Sequence, residues 1–268
     1  SQGHAIDWDE EIDPNAYKIV DRNWLEREIV AAPSESDFDP CRQLSDYLKA
    51  LFHPEEKVIF CTQPFQNEDG KFVPTRGDCK TVAEMLKSLA KGTRDGFDEA
   101  VGTPNEESGA WIRINPFDGA RDESHKLCCR NENVTAFRHA LVESDTRPVD
   151  EQVAIYRKLE LPCSVIVHSG GKSAHAIVRI DADSYDEYRR RVDFLFKILD
   201  ANGLGIDRQN RNPSRYSRMP GVVRGENKQF IISAACGKPS WDEWRDWIDT
   251  RNDDFPEIKT TSLDEYRN

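Results

Sequence analysis

No apolar stretch in this 268-residue chain approaches the roughly 18–20 residues that a membrane-spanning helix needs, which excludes a helical membrane protein. The opening SQGHAIDWDEE lacks a basic segment followed by an apolar one, so it does not read as a secretory signal and the expected compartment is the cytoplasm. Cysteines are few, odd in number at seven, and irregularly spaced, with no C-x-x-C pair. That pattern argues for reduced thiols rather than a disulfide framework. His125, Cys128 and Cys129 do not complete a zinc ligand set, and no zinc is expected. No segment repeats at a fixed period, which argues against a solenoid or propeller. An overall positive charge is also missing: the net charge of -12 gives no general attraction to a nucleic acid backbone.

The charge that is present is unevenly placed. Residues 1–60 carry fourteen acids against six Lys and Arg, whereas residues 207–228 carry six Lys and Arg (Arg208, Arg211, Arg215, Arg218, Arg224, Lys228) against Asp207 and Glu226. A basic patch can bind polyphosphate on an otherwise acidic protein, although a solvated loop has the same composition. At this length the chain forms one large domain or two small ones.

Periodicity gives a coarse element order. A helical piece is expected over 21–30 and a helix over 40–52, with Leu44, Tyr47, Leu48 and Leu51 on one face. KVIFCTQPF reads as a strand, TVAEMLKSLAKG as a helix closed by Gly92, residues 93–108 as loop, and AWIRINPF as a half-buried strand. FRHALVES is expected to be a strand ending in two acids, and PVDEQVAIYRKLEL a helix with Pro148 near its first turn. CSVIVHS and HAIVRID read as strands joined by Gly170-Gly171-Lys172-Ser173. The long helix over 184–203 is capped by Asp183 or Ser184 and buries Tyr188, Val192, Leu195, Phe196 and Leu199. QFIISAAC is a further strand, and SWDEWRDWID a helix whose tryptophans serve core packing.

Three fragments carry chemistry. On a strand, Glu143 and Asp145 project from one face, where two carboxylates repel unless a cation lies between them. Magnesium or manganese suits such hard oxygen donors, and a pair of ions roughly 3.5–4 Å apart is a familiar arrangement in phosphoryl transfer. Glycines in the 169–173 loop let backbone N–H groups approach an anion, with Lys172, Ser169, Ser173 and His175 as further donors. Its spacing is not that of a P-loop. Asp207 is a third acid, for which Asp181 and Asp183 compete, although capping explains those two well. Arg215 and Arg218 have the spacing of a helical turn and suit a bidentate grip on phosphate. Taken singly, the acids read more readily as a solvated strand end, and the loop reads equally as an ordinary hairpin turn.

Taken together, Leu141-Val142-Glu143-Ser144-Asp145, Ser173-Ala174-His175 and Ile206-Asp207 resemble the three motifs of the archaeo-eukaryotic primase superfamily, in order and at gaps of 32 and 32 residues. The family's phage, plasmid and CRISPR-associated primase-polymerases are especially similar in the phrases GGKSAHA and NPSRYSRMPG. The likeness covers about Ala110 to Gly225. It departs at Glu143, where the family usually has Asp. The resemblance implies an α+β fold: an RRM-like antiparallel sheet with flanking helices, joined to a smaller N-terminal α/β lobe. The implied divisions are an acidic extension (1–40), a catalytic domain (41–250, lobes 41–108 and 109–250) and a polar tail (251–268).

The resemblance also implies roles. Glu143, Asp145 and Asp207 would bind two divalent ions, magnesium or manganese. Ser169, Gly171, Lys172, Ser173 and His175 would hold the phosphates of a nucleoside triphosphate, NTP or dNTP, with Arg215 and Arg218 holding a second nucleotide or the template. The implied activity is a DNA primase or polymerase acting on single-stranded DNA, with a helicase domain or replication partner. A non-catalytic replication-initiation module and a metal-dependent nuclease are the alternatives.

Overall fold

The computed structural model describes residues 13–254; the first twelve residues of the acidic extension and residues 255–268 of the polar tail lie outside the described residues. Residues 13–39 run as a strap with two short 3-10 turns, Pro14–Tyr17 and Arg22–Trp24. The helix expected over 21–30 is therefore absent. Long-range pairing outweighs local propensity here: Arg22 and Arg27 both reach Glu151, at 2.9 and 3.5 Å, and the amides of Ile19 and Val20 donate to Asn202 Oδ1 at 2.8 and 2.9 Å. An extended chain spreads these contacts along the body of the protein.

Asp39 caps α1 (Pro40–Leu51) by accepting the Arg42 amide at 3.1 Å, and the expected stripe is buried. The strand after it, β1 (Lys57–Cys61), is shorter than expected, because Phe65–Gln66 forms β2 and folds back on β3 (Phe72–Val73) as a small hairpin. β4 (Asp78–Thr81) leads into α2 (Val82–Leu89), which opens with a capping box of Thr81 and Glu84. The expected loop over 93–108 contains a further helix, α3 (Arg94–Val101), capped by Thr93. Its internal Gly96 is a packing requirement, since a Cβ there would lie 2.6 Å from the Ser88 carbonyl of α2.

Beyond β5 (Trp111–Arg113) come β6 (Phe137–Val142), α4 (Val149–Lys158), β7 (Cys163–His168), β8 (Ala174–Ala182) and α5 (Tyr185–Ala201), which Ser184 caps. A 3-10 turn at Arg208–Arg211 precedes β9 (Tyr216–Arg218), β10 (Val222–Arg224), β11 (Asn227–Ser233) and α6 (Trp241–Asp254).

The strands form two larger antiparallel sheets, in the orders β4-β1-β5-β9 and β10-β11-β7-β8-β6. The fold is α+β. The five-stranded sheet is buried on both faces, as its alternation requires. Ala140 and Val142 of β6 pack with residues of α4, α5 and α6, whereas Leu141 packs with residues of α1, α2 and α3. Trp241 and Trp244 are core residues, and the Trp244 indole donates to the Leu159 carbonyl at 2.9 Å. The four-stranded sheet takes β5 and β9 from beyond residue 108, so the later sequence returns to the first sheet and brings its side chains against the end of the second. Among the described residues no helix is long and apolar enough to cross a membrane.

Candidate active site

A cavity of about 810 Å³ opens where the two sheets meet. Its wall includes Glu143 and Asp145 just past the end of β6, the β7–β8 loop with Ser169, Gly171, Lys172 and Ser173, and His175 near the start of β8. Arg215, Arg218 and Arg224 close it from the other side. Sequence reasoning names all of these but does not single out Lys71, Phe72 and Pro74 from the β2–β3 hairpin, or Trp111, Arg113 and Tyr216, which also line it. The missed signal for Arg113 is its parity with Trp111 on a short strand, which puts both on one face.

Glu143 is the most constrained group in the cavity. Its Oε2 lies 2.5 Å from His175 Nε2 and accepts from Ser173 Oγ at 3.4 Å, while Oε1 accepts from Asn210 Nδ2 at 3.1 Å. Burial by itself raises a carboxyl pKa. Here the His175 charge and hydrogen bond, the Asn210 donor and the Arg215 charge outweigh that burial and hold Glu143 at about 2. On the other side of the ring, His175 Nδ1 is 2.9 Å from Ser217 Oγ and 3.4 Å from the Arg218 amide nitrogen. Both ring nitrogens are thus engaged by protein groups. Asp145, by contrast, is exposed at the cavity.

Asp207 departs from the expected three-acid arrangement. Its amide donates to the Glu143 carbonyl at 3.2 Å, which places it beside the end of β6. Its carboxylate accepts the Gln209 amide at 3.0 Å and caps the 208–211 turn. Asp207 is not part of the cavity wall. Among the described residues no group of three or more His, Cys, Asp or Glu is arranged to hold a metal ion. Asp181 is no substitute. It lies at the far end of β8 from His175, about 20 Å away at strand spacing, where it accepts the Trp241 amide at 3.1 Å. Asp183 precedes the capping residue of α5, and its amide donates to Glu187.

The glycine loop is a tight turn with its own hydrogen bonds. Ser169 Oγ accepts the amides of Gly171 and Ser173 at 3.1 and 3.3 Å, and His168 Nδ1 accepts that of Gly170 at 3.0 Å. Those three amides are therefore not the free anion-binding nest that the sequence suggests. The glycines serve close approach instead. Gly170 has φ +72°, and a Cβ there would lie 3.2 Å from Arg224 Cβ, so the loop admits Arg224, whose Nη1 donates to the Ser169 carbonyl at 3.0 Å. Lys172 is exposed at the cavity.

Positive charge comes mainly from arginines on and around the four-stranded sheet. Arg215 and Arg218 are not on a helix: β9 pairs with β5 in the register Trp111 to Arg218 and Arg113 to Tyr216. Each cross-strand pair stacks a guanidinium on a ring, Arg218 over Trp111 at 4.0 Å and Arg113 over Tyr216 at 3.8 Å. Burial lowers the Arg218 pKa to about 9, Arg224 adds repulsion of like charge, and Glu143 opposes the shift. Burial lowers Arg224 as well. Guanidinium groups stay charged at neutral pH, so these shifts mark cations held in the wall with too little negative charge nearby. The remaining members of the basic stretch are elsewhere: Arg208 pairs with Asp200 at 2.5 Å, Arg211 with Asp193 at 3.4 Å and Lys228 with Glu35 at 3.0 Å. The stretch 207–228 is two surfaces, and only its second half faces the cavity.

The cavity therefore sets two carboxylates against Arg113, Arg215, Arg218, Arg224, Lys71 and Lys172. An anion with several oxygens satisfies that excess of donors. The carboxylates also fit a hard cation, because magnesium takes one or two protein carboxylates together with phosphate oxygens.

No protein-family model matches the chain, and no curated protein matches it. Among solved structures it is similar to the catalytic domain of primase RepB′ in complex with initiator DNA, at 13% identity over 81% of this chain and 96% of that one, with a TM-score of 0.46. It is also similar to the primase-polymerase domain of cyanophage S-2L, at 18% identity over 76% of this chain and 96% of that one, with a TM-score of 0.44.

Proposed function

We propose that the cavity is the active site of a primase-polymerase, a nucleotidyl transferase that joins nucleoside triphosphates on a single-stranded DNA template. The observation that carries this reading is convergence. The acidic pair, the glycine loop, His175 and the arginines of the NPSRYSRMPG stretch are separate in sequence, and all line one cavity.

In this reading the arginines bind the triphosphate. Arg224 lies beside the β7–β8 loop, Arg218 over Trp111 and Arg215 beside the acids, so a chain of phosphates along that wall meets successive guanidinium groups. Partial burial strengthens each contact by excluding water. Phe72, Pro74 and Trp111 supply apolar surface for a base. The 3′-hydroxyl gives up its proton to water as its oxygen attacks the α-phosphorus, the bond from that phosphorus to the bridging oxygen breaks, and pyrophosphate leaves. Charge accumulates on the phosphate oxygens in that step, where fixed cations stabilise it best. Glu143 and Asp145 would hold a magnesium or manganese ion, which would add charge neutralisation at the same oxygens. Asp207, tied through its amide to the end of β6, would join them as a third acid only by releasing its cap on the 208–211 turn. His175 and Glu143 act as a pair: the ring fixes the carboxylate, and Ser217 with the Arg218 amide fixes the ring.

Incubation with a single-stranded template, labelled nucleotides and Mn²⁺ tests the reading. Template-dependent product supports it. Template binding with no product, with or without a primer, points instead to a replication-initiation module, and degradation of the template points to a nuclease.

A further inference from the structure

Asn210 belongs to no motif identified in the sequence, yet it holds two opposite charges of the cavity at once. It is fully buried, and its position is set by the 208–211 turn. Asp207 caps that turn, and the flanking Arg208 and Arg211 are paired to Asp200 and Asp193 of α5. Its Nδ2 donates to Glu143 Oε1 at 3.1 Å, and its Oδ1 accepts from Arg215 Nε at 2.7 Å. A carboxylate only accepts and a guanidinium only donates, so the amide has one permitted orientation. Both of its functional ends are used.

The geometry points to Asn210 as a positioning residue, a neutral spacer that keeps Arg215 out of an ion pair with Glu143 and so leaves the guanidinium charge available to a polyphosphate. The inference rests on the reading of the cavity as a triphosphate site. One side-chain amide separates the Arg215 guanidinium from the Glu143 carboxylate, and two charges that neutralise each other attract an anion less. With the spacer, Arg215 forms no ion pair with a carboxylate of the described residues. Its planar group then faces the cavity held by one bond at Nε. Glu143 keeps Oε2 for His175.

The test is equilibrium binding of inorganic tripolyphosphate, and of dATP with Mn²⁺, to the full chain by calorimetry. The variants are Asn210→Ala, Asn210→Asp, Arg215→Ala and the double variant Asn210→Ala/Arg215→Ala. Asn210→Ala is expected to weaken binding about tenfold, and the double variant to bind no more weakly than Arg215→Ala alone, because coupled residues are not additive. Asn210→Asp, of the same size, turns the spacer into a counter-ion for Arg215 and is expected to weaken binding at least as much. In synthesis assays the loss falls on KM for the nucleotide rather than on kcat. A merely structural asparagine gives additive losses, and Asn210→Asp binding like the unaltered protein contradicts the spacer role; either result overturns the inference and leaves the triphosphate site standing. If the unaltered protein binds neither probe, the triphosphate site itself falls, and the inference with it.

Discussion

Glu143 Oε2 and His175 Nε2 are 2.5 Å apart, so two residues 32 positions apart in the chain act as one electrostatic unit at the cavity. Neither is free to act without the other.

The pair predicts a pH dependence of stability. Glu143 is lowered from 4.5 to about 2. A carboxyl lowered on folding contributes stability that is present above its unfolded value and is lost as pH falls through its folded value. The depression corresponds to a contribution on the order of 3 kcal/mol. Denaturant unfolding of the unaltered protein and Glu143→Gln is expected to show a gap near neutral pH that closes as pH falls from about 4.5 to 2. A gap that stays constant across that window contradicts the pairing.

Arg218 predicts a trade between stability and binding. A partly buried cation short of counter-charge opposes folding and is ready for an anion. Arg218→Met removes that charge together with its stack on Trp111 and its bond to the Ser108 carbonyl at 2.8 Å, losses that offset the gain, and is expected to leave the melting temperature nearly unchanged. It is expected to weaken tripolyphosphate binding about tenfold or more, as for loss of a charge-assisted contact. Thermal melts with and without tripolyphosphate read both effects. A variant that melts lower and binds equally well contradicts the role of Arg218.

Asp207 has a structural and a chemical role to separate. Asn caps a helix start as well as Asp does, whereas Ala costs about 1 kcal/mol. Asp207→Asn is expected to melt like the unaltered protein and Asp207→Ala lower. Asp207→Asn removes the negative charge alone, so membership of the acidic set predicts that it loses metal-dependent synthesis. Synthesis retained by Asp207→Asn assigns the residue to capping the 208–211 turn.

What was legible in the sequence follows from which interactions are local. The cap at Ser184, the stripe of α5 and the β7–β8 hairpin are set by neighbouring residues, and they appear as expected. The segment 21–30 has a helical pattern but is held extended by Glu151, more than a hundred residues away. α3 was hidden by Gly96, which lowers helix propensity while permitting contact with α2. The same limit applies at the site. Spacing marks Glu143, Asp145, the loop and His175. Arg113, Trp111 and Asn210 join them only because β9 returns to β5 and the 208–211 turn packs beside β6, and no local pattern encodes that return. The basic stretch misled in the opposite sense: contiguous in sequence, it splits because Arg208 and Arg211 find acids on α5.

The most direct test of the central claim is template-dependent synthesis by the unaltered protein and Asp145→Ala, with Mn²⁺ or Mg²⁺, labelled nucleotides and single-stranded DNA. Asp145 is exposed, so its removal is expected to change stability by no more than about 0.5 kcal/mol. The account predicts products whose sequence follows the template for the unaltered protein, and a loss of at least about 100-fold for Asp145→Ala, the scale of removing one transition-state contact. No product from the folded, unaltered protein on any template, or near-equal synthesis by Asp145→Ala, would contradict it.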